Sequence, residues 1–265
     1  MRRPLAAAVL AVMLTAAPAA AGMADRVGAT FALMADEFIQ AFSPVEGIVV
    51  SVDQDEIFLD IGSARGAQVG QEYTIFRKGE TFTHPLTGKP LGRYEDVLGH
   101  AQVRRVQPDF STAVFVPAPG KPAPRVEDGA RITRGRLKVA VTPVIDMTDA
   151  RADLRRVPFL IATALERSKR FVAVDPLAVS DMFAAGPVRV EEVLARPERA
   201  VRVARNLDVS GWIVPVLLER RGLVALDVTY ISAITGAPLF SRRMSVVSAS
   251  ALEAQRFPWE PRVED

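Results

Sequence analysis

The sequence predicts an α+β protein: a small β-barrel-like domain followed by an α+β domain with a mixed sheet and helices on one face. Three observations carry that class. From Val45 to Arg134, short apolar-alternating runs such as Gly47–Val52, Ile57–Ile61 and Tyr73–Phe76 are separated by glycine- or aspartate-containing breaks, the period-2 pattern of half-buried strands. From Gly135 onward, apolar runs alternate with segments of helical period. Ahead of both, Val27, Phe31, Met34, Phe38 and Phe42 recur at spacings of three and four, which puts them on one helical face.

In chain order, Arg2 and Arg3 precede an apolar run from Leu5 to Leu14 and a small-residue stretch ending Ala19-Ala20-Ala21, the order of a secretory signal peptide. The run falls short of the roughly 20 residues that span a bilayer. The expectation is cleavage near Ala21 and a periplasmic mature chain without a transmembrane span, with the outer membrane or the flagellar basal body as possible sites of association. Residues 22–44 follow as an amphipathic helix ended by Ser43-Pro44. It either packs internally or docks on a partner, and its polar face lacks the Lys/Arg excess of a membrane-surface helix.

In the β-rich stretch 45–134, Gly62, Gly66, Gly70 and Gly129 are placed where turns need positive φ or close backbone approach. Asp53-Gln54-Asp55 is read as a hairpin turn, since the glycine and terminal glutamate of a calcium loop are missing. The four prolines of Pro117–Pro124 predict an exposed connector. In 135–250 the predicted order is β-α-β-α-α-β-β-β. Asp175-Pro176 starts a helix, one long helix covers Val190–Leu207, and three strands form a closing meander. Residues 251–265 are expected to form a flexible tail.

Composition excludes several function classes. The net charge is +2, and without Arg2 and Arg3 the remaining 31 basic and 31 acidic residues balance, with arginines scattered among carboxylates. That is not the clustered basic face of a nucleic-acid binder. Cysteine is absent, so the chain has neither disulfides nor thiol nucleophiles. The two histidines, His84 and His100, have no second histidine at ligand spacing and are read as surface or edge residues. Nucleophile-elbow and phosphate-loop motifs are missing. Asp146, Asp149 and Asp153 follow the first strand of the second domain, where a polar ligand or cation could bind, although capping and solvation explain them as well.

Two segments resemble known families. The order Leu59-Asp60-Ile61-Gly62, Gly66-x-x-x-Gly70-x-x-Tyr73-x-Ile75-x-Arg77, Pro85-x-Thr87-Gly88 and Gly129-x-x-Ile132 resembles the C-terminal β-domain of the flagellar protein FlgT. Pro143-Val144, Ser168–Asp175, Ala204–Val209 and Ser232–Leu239 are similar to the N-terminal domain of TolB and the FlgT middle domain. The resemblance implies a non-enzymatic structural or assembly factor of an envelope machine, with the flagellar basal body as the suggested one. Its partners would be other envelope or basal-body proteins, with no nucleic acid, cofactor or metal. The alternative is a periplasmic polysaccharide-binding protein or hydrolase. Candidate partner-binding residues are Phe31 and Phe38 on the helix stripe and Phe257 and Trp259 in the tail.

Overall fold

The computed structural model describes residues 22–149, 151–248 and 250–251; the signal-peptide reading, Phe257 and Trp259 lie outside these described residues. Helix α1 (Met23–Ala41) is followed by six strands: β1 (Val45–Asp53), β2 (Glu56–Leu59), β3 (Glu72–Thr83), β4 (Pro90–Val106), β5 (Ser111–Pro117) and β6 (Gly129–Ile132). All neighbours pair antiparallel, and the order β1-β2-β5-β4-β3-β6 closes on itself through β6 and β1. Inward residues such as Val49, Ile57, Leu59, Tyr73, Ile75 and Val103 fill the ring, which is why the alternation was readable as half-buried strand.

Close approach dictates some of its glycines. A Cβ on Gly129 would lie 2.3 Å from the Phe76 ring, so only glycine lets β6 pass that aromatic. A buried ion pair clips the last crossing. Both oxygens of Asp128 accept from Arg77, at 2.8 and 2.7 Å, and one also accepts from the Arg125 backbone N–H. Burial by itself would raise the Asp128 carboxyl, but these donors outweigh it and hold it below the ordinary carboxylate range.

The second body comprises β7 (Leu137–Val141), β8 (Ile145–Met147), α2 (Val157–Arg167), β9 (Phe171–Ala173), α3 (Pro176–Ala185), α4 (Val190–Ala195), α5 (Pro197–Leu207), β10 (Gly211–Arg220), β11 (Leu223–Ser232) and β12 (Pro238–Ser245). Its sheet runs β12-β11-β10-β7-β9, with β8 also on β10. Strands β7, β8, β9 and β10 pair parallel, while β10, β11 and β12 form the antiparallel meander. Pro215 is tolerated inside β10 by position. Ile213 O accepts from Thr142 N, so Pro215, two residues on, faces the same neighbour where pairing passes from β7 to β8, and the donor it lacks is not required there.

Two expectations are corrected here. Helices cover both faces of this sheet. Val139, Val141 and Ile213 pack with α1 and α2, whereas Ala140, Trp212 and Val214 pack with α3, α4 and α5. Strands buried on both sides read as continuous apolar runs, as 211–218 does. The single helix over 190–207 is two, because the residue before Pro197 leaves the α region and Arg196 is extended. Of the two readings of α1, internal packing is the one the structure shows: although the whole ring lies between it and the sheet in sequence, it packs on α2, β11 and β12, so the α+β module is built from both sides of the ring.

Buried Arg170 fastens that arrangement. Its Nε donates to the Phe42 carbonyl at 2.7 Å and its Nη1 to the Gly135 carbonyl, where the chain enters and leaves the ring. On the ring side, Glu72 accepts from Ser232 Oγ at 3.0 Å and Thr235 Oγ1 at 2.8 Å, and Gln71 Nε2 donates to Ala41 O at 2.7 Å.

Candidate binding surfaces

The described residues offer three places where another molecule could be engaged: a β-ribbon, the junction between ring and sheet, and a cleft at the sheet's end. The ribbon arises because β3 and β4 outlast their other neighbours. Pairing of β3 with β6 ends at Phe76, and pairing of β4 with β5 begins at Gly99, whereas β3 and β4 pair with each other as far as Thr83 and Pro90. Residues beyond Arg77 and Asp96 therefore form a two-stranded arm outside the ring. Phe82 faces Gly92 across the arm, and its ring meets that of Tyr94 at 5.1 Å, so glycine makes room for a diagonal aromatic pair.

The tip is a turn in which His84 O accepts from Gly88 N, and His84 Nδ1 accepts from the N–H groups of Leu86 and Thr87 at 3.2 and 3.3 Å. This shapes a tight loop that thrusts Leu86 outward at 91% exposure, beside exposed Leu91 and Tyr94.

The junction holds His100, which is expected at a surface or edge from sequence but is largely covered. Glu72 and Arg131 face it from the ring, and Arg205 and Asp208 line the adjoining crevice from α5. Burial lowers the His100 pKa, and the nearby Glu72 carboxylate opposes that only in part. The folded chain therefore keeps His100 neutral at pH values where the unfolded chain begins to protonate it. Stability present above about pH 6.5 is lost as the pH falls below it. His100→Gln should shrink the fall in melting temperature between pH 7.5 and pH 5. An unchanged pH dependence in the variant would place the relevant proton elsewhere.

The cleft lies beyond the carboxyl ends of β7 and β9, between α2 and α3, and has a volume of about 510 Å³. Val144, Leu154, Pro158, Phe159 and Leu177 line it, with Asp146 and Asp181 at its edge. The three aspartates singled out in the sequence do not converge. Asp146 accepts from Thr148, Asp153 pairs with Arg155, and Asp149 N donates to Glu219 across the sheet end. The Arg155 guanidinium holds the Asp153 carboxyl down to about 2. Among the described residues, no group of three His, Asp or Glu is placed to hold a metal ion.

Of the partner-binding candidates, Phe31 and Phe38 are fully buried, their rings 5.6 Å apart in the core beneath α1. They are corrected from docking residues to core residues, because the apolar stripe finds its complement on the chain's own sheet. Phe257 and Trp259 fall outside the described residues. The arm's Phe82, Leu86, Leu91 and Tyr94 were not singled out from sequence. The available signal was the His84–Gly88 turn between two alternating runs, but the aromatic pairing depends on a register that slips between Lys78 and Thr81.

No family model matches the chain, and no curated protein matches it. Solved structures that match include the LpoB C-terminal domain from Escherichia coli, at 16% identity, 44% of this chain, 86% of that one and a TM-score of 0.36. The lipoprotein GNA1162 from Neisseria meningitidis matches at 14% identity over 43% of this chain and 83% of its own, with a TM-score of 0.35. A PelC dodecamer from Paraburkholderia phytofirmans matches at 17% identity over 45% and 80%, with a TM-score of 0.28. These neighbours correct the resemblance read from sequence: the likeness found is to LpoB, GNA1162 and PelC chains rather than to FlgT, and at these scores it assigns the chain to no family.

Proposed function

We propose that this chain is a non-enzymatic factor of the bacterial cell envelope that works by binding another protein through the arm formed by residues 78–95. The supporting observation is the arm itself. A lone two-stranded ribbon is marginal in water, and this one places Phe82, Leu86, Leu91 and Tyr94 in solvent instead of in a core. Aromatic and leucine side chains on a stiff ribbon suit anchor residues, whose burial in a partner pocket supplies most of an interface's energy. The ring carries the arm, and the contacts of Glu72, Gln71 and Arg170 hold ring and sheet as one support. The envelope location rests on the order of charged, apolar and small residues in 1–21. No described helix is long and apolar enough to cross a membrane.

The test places a photo-crosslinking residue at Leu86 and, as a control, at Leu223, which is 69% exposed at the far end of the sheet. Irradiated cells should yield one defined adduct from position 86 and none from 223, and Phe82→Ser with Tyr94→Ser should abolish it without changing the melting temperature by more than a degree or two. No adduct from position 86, or the same adducts from both positions, would remove the arm from the binding surface.

A further inference from the structure

We infer that the protein bound by the arm is a second copy of this chain, joined edge to edge along residues 92–96 of β4 about a two-fold axis at Tyr94. The inference rests on the reading of the arm as the binding surface and names its partner. One edge of β4 is open there. Strand β3 occupies the other side, whereas β5 pairs with β4 only from Gly99 onward, and Ala118 N donates to Leu98 O just before it. Bulges in β4 at Leu91 and Leu98 bracket a regular stretch, residues 92–97, that is exposed apart from half-buried Gly92. A row of backbone donors and acceptors without a neighbouring strand is a template for another strand.

Side chains select both the occupant and the register. In antiparallel pairing about Tyr94, Arg93 lies opposite Glu95 of the second copy and Glu95 lies opposite its Arg93, so one contact carries two pairs of opposite charge. An axis at Arg93 or at Glu95 would instead set like charges face to face. Edge charges ordinarily keep copies apart, whereas this order draws them together. Arg93 is exposed and has no ion-pair partner among the described residues. Glu95 accepts from Arg131 at 2.6 Å through Oε2, which leaves Oε1 for a second guanidinium. On the other face of the strand, Tyr94 is 65% exposed, its ring 5.1 Å from that of Phe82. The two-fold axis sets Tyr94 beside its own copy and extends the aromatic pair into a row of four rings. The two-stranded arm, marginal by itself, becomes half of a four-stranded sheet.

Sedimentation equilibrium with charge swaps tests this. The parent should sediment as a dimer that dissociates on dilution. Arg93→Glu and Glu95→Arg each set like charges opposite one another twice, and each should weaken association by about ten-fold or more with the far-ultraviolet dichroism unchanged. An equal mixture of the two variants restores both contacts of opposite charge and should return a dimer with one copy of each. Because the chain has no cysteine, Tyr94→Cys adds a single thiol, which should give a disulfide-linked dimer on mild oxidation, whereas Leu223→Cys should not. A monomeric parent, variants that associate as tightly as the parent, or a mixture no tighter than its separate components would overturn self-pairing. The photo-adduct at Leu86 distinguishes that failure from failure of the arm itself. An adduct of twice the chain's mass supports the second copy, and an adduct to a different protein keeps the arm as a binding surface but overturns the second copy as its occupant. No adduct removes both readings.

Discussion

Gly70→Val should lower the melting temperature of the whole chain by on the order of 10 °C, the result of a loss of about 3–4 kcal/mol in a protein of this size. Gly70 has φ of +90°, where a β-branched residue is penalised, and its N–H is already committed to Val103 O at 2.9 Å. A Cβ built there lies 2.2 Å from the carbonyl oxygen of Leu239, so the backbone itself must move. Leu239 belongs to β12, so the damage falls on the seam between ring and sheet and both should loosen together, not the ring alone. Gly66 provides the comparison. Its φ is +86° but a Cβ would meet nothing, so Gly66→Ala should cost only about 1 kcal/mol of backbone strain. Equal losses for Gly70→Ala and Gly66→Ala would show that the seam yields, and parental melting of Gly70→Val would show that the turn is misplaced.

Phe31→Asp should prevent the α+β module from folding. Phe31 is fully buried, against Phe38 and the sheet beneath α1. Truncating such a residue to alanine costs about 3–5 kcal/mol, and an unpaired carboxylate in its place adds several more. The sum approaches the 5–15 kcal/mol that keep a domain folded. Near-ultraviolet dichroism should collapse and limited proteolysis should degrade residues 135–248, whereas Leu33→Asp, on the 58%-exposed face of the same helix, should change stability by no more than about 0.5 kcal/mol. A folded Phe31→Asp protein that had lost only an association would return the helix stripe to the role of a docking surface.

Local pattern revealed the elements and much less of their assembly. Val27, Phe31, Met34, Phe38 and Phe42 were legible as one helical face, and all five are buried. What they bury against was not legible, because their partners on β11 and β12 lie roughly 200 residues further along and no local period records that. The glycines announced a ring of short strands since a missing Cβ is a local necessity, as at Gly129 beside Phe76. Helices on both sheet faces were implicit in the continuous apolar run 211–218, whose alternate residues serve two cores, but the run by itself is equally compatible with a single buried layer. Three-residue β8 is too short to carry a period at all. Of the candidate surfaces, the arm's turn was visible, whereas its exposure follows from where β5 and β6 stop pairing, a property of three other segments.

The placement of α1 on a sheet completed only at β12 also fixes an order of events as the chain is made. Residues 45–132 hold every strand of the ring and can close as soon as they emerge, since Val45 pairs with Ile132. Helix α1 emerges ahead of the ring and must wait for Ser245. At synthesis rates of about 5–20 residues per second, roughly 200 intervening residues leave its aromatic stripe uncovered for on the order of ten seconds or more. Over that interval the same phenylalanines that later anchor the module are the segment most exposed to misassociation, and a holding chaperone that masked α1 until β12 arrived would raise the yield of folded protein without altering its final stability.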